Sequence, residues 1–526
     1  MTSSSQLLDE PLLFDLPRRQ CSGASLPASD QCALLPTDEF PADLLRADLD
    51  DLPTLSEPEV VRHFTRLSRQ NFGVDTGLYP LGSCTMKYNP KLGETAARLR
   101  GFTDLHPLLP DNRCQGALEL MWRLERMLSR LCGFDAFSLV PAAGAHGEFA
   151  GMLVIRAAIE ARGEKRRKVL IPDSAHGTNP ASCAMAGFEV VQLKSGADGL
   201  LAPDTVAQAL DAHGSDVAAL MMTNPNTLGL FERGIRDIAD LVHAKGAFLY
   251  GDGANLNALL GRVRPADLGI DVMHVNLHKT FAAPHGGGGP GAGPIGVTGA
   301  LSDFLPVPRV VRERRLQDTG ERDQINSWTR DEPAIESLPP DLEADPAIRY
   351  RLDFDAPKSV GRLRSFFGNF AVCVRAYAYL AELGANGLRE VSGRAVLNAN
   401  YLREQLRGDF DLPYAAQPLH EVVLTDARQR PHGVTTMDIA KALIDRGFHP
   451  PTIYFPLVVQ GALMIEPTET ESKETLDAFV AAMKDIARLA KENPESLRQA
   501  PTNAFRERLD EVLAARKPSL VYQKDF

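Results

Sequence analysis

Apolar residues along this chain change their period partway through. Between 115 and 132, Leu120, Leu124, Met127, Leu128 and Leu131 recur three or four residues apart, which puts them on one face of a helix. From residue 168 the pattern becomes short apolar runs at 168–171, 189–193, 217–222, 247–250 and 272–276. Runs this short, bounded by turn residues, read as strands. Helical segments at 204–213 and 235–245 lie between some of them. Strands alternating with helices imply βαβ units and an α/β fold, with a mostly parallel central sheet covered on both faces.

The flanking regions read differently. Residues 1–50 are rich in Ser, Pro and Asp and suggest an extended arm, and 55–110 mix short helices with turns. Residues 300–360, rich in Pro, Arg and Asp, read as a long irregular crossing segment. Beyond it, helices near 371–407, 435–446 and 472–492 accompany strands near 421–425 and 462–466, and Gly447 stands where a C′ glycine ends a helix. The expected organisation is an N-terminal arm and segment over 1–110, a large domain over 111–330 and a smaller C-terminal α+β domain over 331–526.

At 526 residues the chain is long enough for a large buried core. Its 57 basic and 68 acidic residues leave a net charge of −11, which argues against general nucleic-acid binding. The seven cysteines form no CxxC pair, so neither a zinc framework nor a disulfide scaffold is indicated, and a reducing cytoplasm is the expected setting. The N-terminus lacks a basic region followed by an apolar core. No apolar run approaches the roughly 20 residues of a membrane span.

Chemistry gathers at the ends of the expected strands. Asn276-Leu277-His278-Lys279 closes the last run and presents one lysine, with glycines at 286–289 behind it. Lysine makes imines with carbonyl cofactors, and partial desolvation frees its amine. Ala143-Gly144-Ala145 opens a helix whose N-terminus suits a phosphate. His176 follows the strand at 168–171 and could lie flat on an aromatic cofactor, or merely cap the next helix. Thr223-Asn224 forms a polar turn able to reach a phenolic oxygen. Asp252 could hold a protonated ring nitrogen, and Ala254, two residues on, lets a flat ring lie close. Each signal alone is weak; five in this order at successive strand ends are not.

Two competing motifs fail. The glycines of 286–291 are not followed by Gly-Lys-[Ser/Thr], as a nucleotide phosphate loop requires. His274, His278 and His285 lack a His-Glu-x-x-His pattern and any acid in a neighbouring ligand position, so no metal is expected.

On these residues the chain resembles pyridoxal-phosphate enzymes of the aminotransferase-like fold (fold type I). More narrowly, it is similar to the glycine decarboxylase P-protein family, in the second subunit of its split bacterial form. The likeness rests on Pro80-Leu81-Gly82-Ser83-Cys84-Thr85-Met86-Lys87, on His176 to Ser182, on Asn276 to Phe281, on Phe366 to Phe370 and on Met464 to Glu471.

The resemblance implies that Lys279 forms the Schiff base with pyridoxal 5′-phosphate. It implies that Asp252 pairs with the ring nitrogen, Ala254 packs on the ring and His176 stacks on its other face. His278 and the 143–145 turn would meet the phosphate, with Thr223 or Asn224 at the ring oxygen. The implied reaction is decarboxylation of glycine, with transfer of the aminomethyl group to the lipoyl disulfide of the H-protein. The lipoyl disulfide takes up the electrons, and no Gly-x-Gly-x-x-Gly fingerprint follows a strand. The implied partners are subunit 1, in a heterotetramer of two of each, and the lipoylated H-protein. Residues 79–90 and 286–291 are candidate walls of a lipoyl channel. The alternatives are another pyridoxal-phosphate decarboxylase or aminotransferase, and a non-catalytic scaffold, against which Lys279 and Asp252 argue.

Overall fold

The computed structural model describes residues 10–16, 40–45, 53–285, 291–315, 322–324 and 348–521. Most of the expected arm and the glycines 286–290 lie outside the described residues. The chain forms two compact units, 78–498 and 1–77 with 499–526. The sequence reading drew its boundaries elsewhere: residues 78–110 belong with the larger unit, and the chain from 499 onward with the smaller one. In the smaller unit, helix Glu57–Ser68 starts at a reciprocal Ser56/Glu59 cap, and Glu10 bonds to His63 and Arg66.

The larger unit is organised by a seven-stranded sheet. Its strands are β1 (Ala136–Ser138), β2 (Lys168–Pro172), β3 (Glu189–Leu193), β4 (Val217–Thr223), β5 (Phe248–Gly253), β6 (Val272–Val275) and β7 (Ile295–Val297). Their spatial order is β1-β7-β6-β5-β4-β2-β3. β2 to β6 run parallel, and β7 pairs antiparallel with both β6 and β1. The five expected strands are all present. β1 and β7, three residues each, are too short to stand out as apolar runs.

The central strand β4 is buried on both faces, which is why it reads as a continuous apolar run rather than an alternating one. Side-chain alternation still sorts the strands. Leu220, Met222, Leu249 and Met273 join helix Gln115–Cys132 and helix Ile235–Ala244 in one apolar cluster. Ala219, Met221, Tyr250 and Val272 join helix Gly144–Ala161 in the other.

Two expectations need correction. Within 300–360, strands β8 (Arg309–Arg315), β9 (Arg322–Gln324) and β10 (Ile348–Asp353) form an antiparallel sheet rather than an irregular crossing. Its charged residues disguise it: Arg351 on β10 bonds Glu313 on β8, so polar positions are satisfied across the strands. The long helix expected over 371–407 spans Phe370–Leu406 but breaks at Gly384, whose φ of 57° and ψ of −173° suit only glycine.

The small C-terminal sheet has the order β11-β13-β12, from β11 (Val422–Thr425), β12 (Thr452–Ile453) and β13 (Ala462–Ile465). Gly447 has the left-handed φ of 81° expected of it.

Candidate active site

Since β7 is antiparallel to both β1 and β6, the carboxyl ends of β1, β2, β4, β5 and β6 all open on one edge of the sheet. A cavity of about 190 Å³ lies there, lined by the 143–145 turn, His176, Thr223, Asp252, Ala254, His278 and Lys279, among others. Nine of the ten site residues expected from sequence thus share one cavity. Asn224 does not line it: its amide oxygen accepts the Glu232 N–H at 3.0 Å. Thr223 does line it, and its buried hydroxyl has no hydrogen-bond partner.

The lysine turn begins where β6 ends. The Asn276 carbonyl accepts the N–H groups of Lys279 and Thr280 at 3.1 and 3.2 Å. A second, buried lysine fastens this turn from behind. Lys87 Nζ donates to the Thr280 carbonyl at 3.0 Å and to Asn257 Oδ1 at 2.7 Å, and pairs with Glu469 at 2.6 Å. The Asn89 side chain donates to the Ala282 carbonyl at 2.9 Å. Residues 79–90, expected as a channel wall, therefore clamp the lysine turn and also place Ser83 at the cavity. Of the other expected wall, 286–291, residues 286–290 lie outside the described residues.

The backbone around this turn is strained. Ser83, Thr85, Ala282 and Thr468 all have positive φ without being glycine. Such conformations persist only where the surroundings enforce them.

Asp252 is buried at the end of β5. It accepts hydrogen bonds from Asn179 Nδ2 and the Ala254 N–H, each at 2.9 Å, and lies 3.3 Å from His274 Nε2. The other ring nitrogen of His274 meets the Tyr250 hydroxyl at 2.9 Å. Burial alone would raise the carboxyl, but His274, the two hydrogen bonds and Lys279 outweigh it and hold Asp252 below the usual range. It remains an anion, ready for a cationic ring nitrogen. His274 thus does have acids beside it, Asp252 and Glu148, although none is near it in sequence. This corrects the argument from neighbouring positions.

At the other end of the cavity, helix Gly144–Ala161 begins without a side-chain cap. Its first-turn N–H groups are those that anions accept from. A Cβ on Gly144 would lie 2.5 Å from Asn276 Nδ2, so glycine lets the helix start abut the lysine turn. His278 is buried, and its Nδ1 accepts the Ala292 N–H at 3.3 Å. Burial, then His285 and Lys279, push it down to about 3. Its imidazole is therefore neutral.

His176 is exposed at the rim. Its Nδ1 accepts the Thr178 N–H at 3.2 Å, while the Thr178 hydroxyl donates to buried Glu148 at 2.8 Å. Its ring edge packs on Phe455.

Sequence reasoning missed Glu148, Thr178, Asn276 and Ser83 as cavity residues. Glu148 had a signal: it is an acid just ahead of the apolar run Phe149–Ile155 of its helix. The polar groups form a chemically consistent set, with an uncapped helix start, the free hydroxyl of Thr223 and unpartnered amide oxygen of Asn276, an anionic Asp252 and an amine. A flat ring bearing a phosphate, a hydroxyl, a basic nitrogen and a carbonyl carbon fits these groups.

Comparisons with known proteins point the same way. The chain matches two family models, "Glycine dehydrogenase, C-terminal domain" over residues 391–507 and "Aminotransferase class-V" over residues 146–288. It is 51% identical over 514 residues to the probable glycine dehydrogenase (decarboxylating) subunit 2 of Caldanaerobacter subterraneus, covering 98% of this chain and 99% of that one. It is 52% identical over 511 residues to the protein of the same description from Chlorobium chlorochromatii, covering 97% and 99%.

Among solved structures, a glycine decarboxylase (P-protein) of the glycine cleavage system, in inhibitor-bound form, superposes with a TM-score of 0.67 at 22% identity, over 85% of this chain and 93% of that one. A cysteine desulfurase from Thermococcus onnurineus gives 0.55 at 14% identity, over 79% and 95%. At such identities these two likenesses bear on the fold, which is the fold type I arrangement expected from sequence.

Proposed function

The chain belongs to the glycine dehydrogenase (decarboxylating) subunit 2 family, and from that premise we propose how its residues perform the activity. It is a pyridoxal-phosphate enzyme of glycine breakdown. It decarboxylates glycine and passes the remaining aminomethyl group to a lipoyl disulfide. The observation that carries this reading is the placement of the Lys279 amine and the Asp252 carboxylate on one cavity that also holds an uncapped helix start.

The cofactor, when bound, supplies an electron sink for the pair left behind as CO2 departs. The protein's share is placement. Lys279 anchors the carbonyl carbon. Asp252, kept anionic, holds the ring nitrogen protonated, and Asn179 and His274 keep its carboxylate oriented. The first turn of helix Gly144–Ala161 and His278 receive the phosphate, with Thr223 at the ring hydroxyl. Ala254 leaves room for the ring on one side, and His176 covers it from the rim.

The working partners are subunit 1, in a heterotetramer of two of each, and the lipoylated H-protein. The working location is the cytoplasm. No helix among the described residues is long and apolar enough to cross a membrane.

The test is glycine-dependent exchange of labelled bicarbonate by the chain co-purified with subunit 1, with and without lipoyl protein. Exchange that needs glycine and rises with lipoyl protein is expected. A colourless wild-type protein, or equal exchange with other amino acids, would sink the reading.

A further inference from the structure

The cavity leaves unexplained a fully buried ionisable cluster beside it. Glu421 and Glu466 are the next opposed residues beyond the pairing of Val422 with Ile465 on β11 and β13. Both are fully buried. Each uses one carboxyl oxygen on the same short turn: Glu421 accepts the Ser83 N–H at 2.8 Å, and Glu466 accepts the Thr85 N–H at 2.9 Å. The remaining oxygen of each has no hydrogen-bond partner. Those two oxygens lie 3.9 and 4.0 Å from one atom, His420 Nε2. His420 is itself fully buried, with neither ring nitrogen hydrogen-bonded.

Two carboxyl groups this close in a dry site do not both ionise. His420 does not change that balance, because burial, then Lys279 and Lys87, push it down to about 3 and keep it neutral. The charges that reach the pair are those of Lys279 and Lys87, and Lys87 is already neutralised by Glu469 at 2.6 Å. Burial, opposed first by Thr85 and then by the two lysines, raises Glu466 to about 7, and burial with the Glu466 charge raises Glu421 well beyond the carboxylate range. The Cys84 thiol, on the turn the pair holds, is raised by burial while Lys279 opposes that rise.

We propose that Glu421 and Glu466 share one proton, and that their single remaining negative charge joins that of Asp252 as a counter-charge of the Lys279 amine. The proposal rests on the reading of Lys279 as the cofactor lysine. Neither carboxyl lines the cavity, so these are positioning residues. They act on Lys279 through their charge, and they hold the strained Ser83–Thr85 turn in place.

Infrared spectroscopy of the full chain reads the shared proton directly. At neutral pH the wild type should show the C=O intensity of protonated carboxylic acids, to which buried Glu125 and Glu232 also contribute, and Glu421→Gln and Glu466→Gln should each remove the same one-carboxyl share of it. Glutamine keeps an oxygen for the turn N–H groups, and each single variant keeps one negative charge. With pyridoxal phosphate bound, the pH at which the cofactor's visible absorption changes form should therefore stay near wild type in the single variants. In the double variant it should fall by about one unit or more.

Carboxylic-acid intensity that is unchanged in either single variant overturns the proposal. So does an unshifted transition in the double variant, or a stoichiometric metal ion found among these three residues. If the double variant does not fold, the wild type and single variants still decide through the band. A wild type that takes up no cofactor would instead sink the reading of Lys279, with the infrared result still standing.

Discussion

The two sides of Lys279 are built on opposite plans. On the cradle side, consecutive strand ends offer groups left open: an uncapped helix start, a free Thr223 hydroxyl and an anionic Asp252. On the clamp side, segments far apart in sequence close on one another, with the Lys87 ammonium ringed by Asn257, Thr280 and Glu469. The cradle keeps its polarity for a ligand, whereas most of the clamp's is consumed internally. Changes to the first should therefore reach chemistry, and changes to the second should reach stability.

The strongest test of that division is Lys279→Ala. It should abolish the cofactor's visible absorption and all measurable turnover, while the free energy of urea unfolding changes by only about 0.5 kcal/mol, as for a partly exposed residue. A large loss of stability would erase the contrast.

Lys87→Met should do the reverse. Leaving Glu469 buried and unpaired costs about 3–5 kcal/mol in urea unfolding. Adding Glu469→Gln should restore part of it, since the orphaned charge is then gone. Next, Asp252→Asn keeps the shape but loses the anion, and steady-state kinetics should show turnover down about 10²–10³-fold with the fold intact.

Titration separates the sides less sharply. His278 in the cradle and His420 in the clamp are both held neutral, at about 3. An unfolded histidine binds protons below about 6.5, so stability present above that pH is lost as pH falls toward 3. At pH 5.5 each should account for about 1.4 kcal/mol, and His278→Gln should flatten that part of the curve. The Glu421–Glu466 pair runs the other way. Glu466, raised to about 7, favours the folded state below its ordinary 4.5 and loses that contribution as pH rises through 7. Chemical denaturation across pH 4 to 8 reads both limbs. The smallest effect expected is that of Thr223→Val, which should weaken cofactor binding by about 1 kcal/mol, the worth of one neutral hydrogen bond, in equilibrium titration.

Legibility in the sequence follows the same division. Each strand-end turn is a few contiguous residues after an apolar run, so the run and its chemistry are read together. β3 appeared at its observed bounds and helix Gln115–Cys132 likewise. The clamp has no contiguous signature. Lys87, Glu421, Glu466 and Glu469 each look like an ordinary surface charge, and only the pairing of β11 with β13 and the bridge from Leu81 to Ile465 bring them together. Its segments 80–87 and 464–471 stood out by resemblance, the first only as part of a candidate channel wall and the second without a role. Asn224 could not be told from Thr223, because which of two adjacent residues faces the cavity depends on the path the chain takes after β4. The sheet of β8 and β10 was missed because its partners are separated by a long segment and its polar positions hide the alternation.

The Lys87 knot also bears on the order in which the protein is made. The chain leaves the ribosome from its N-terminus, so Lys87 and the whole seven-stranded sheet, which ends at Val297, are made well before Glu466 and Glu469. Until that last stretch arrives, Lys87 lacks its Glu469 counter-ion, and the Ser83–Thr85 turn lacks the Glu466 carboxylate that holds the Thr85 N–H. A nascent chain halted before residue 466 would contain every strand end of the cradle and still lack a set lysine turn. Completion of the active lysine is thereby postponed to the end of synthesis, and an unfinished chain is kept from presenting a finished site.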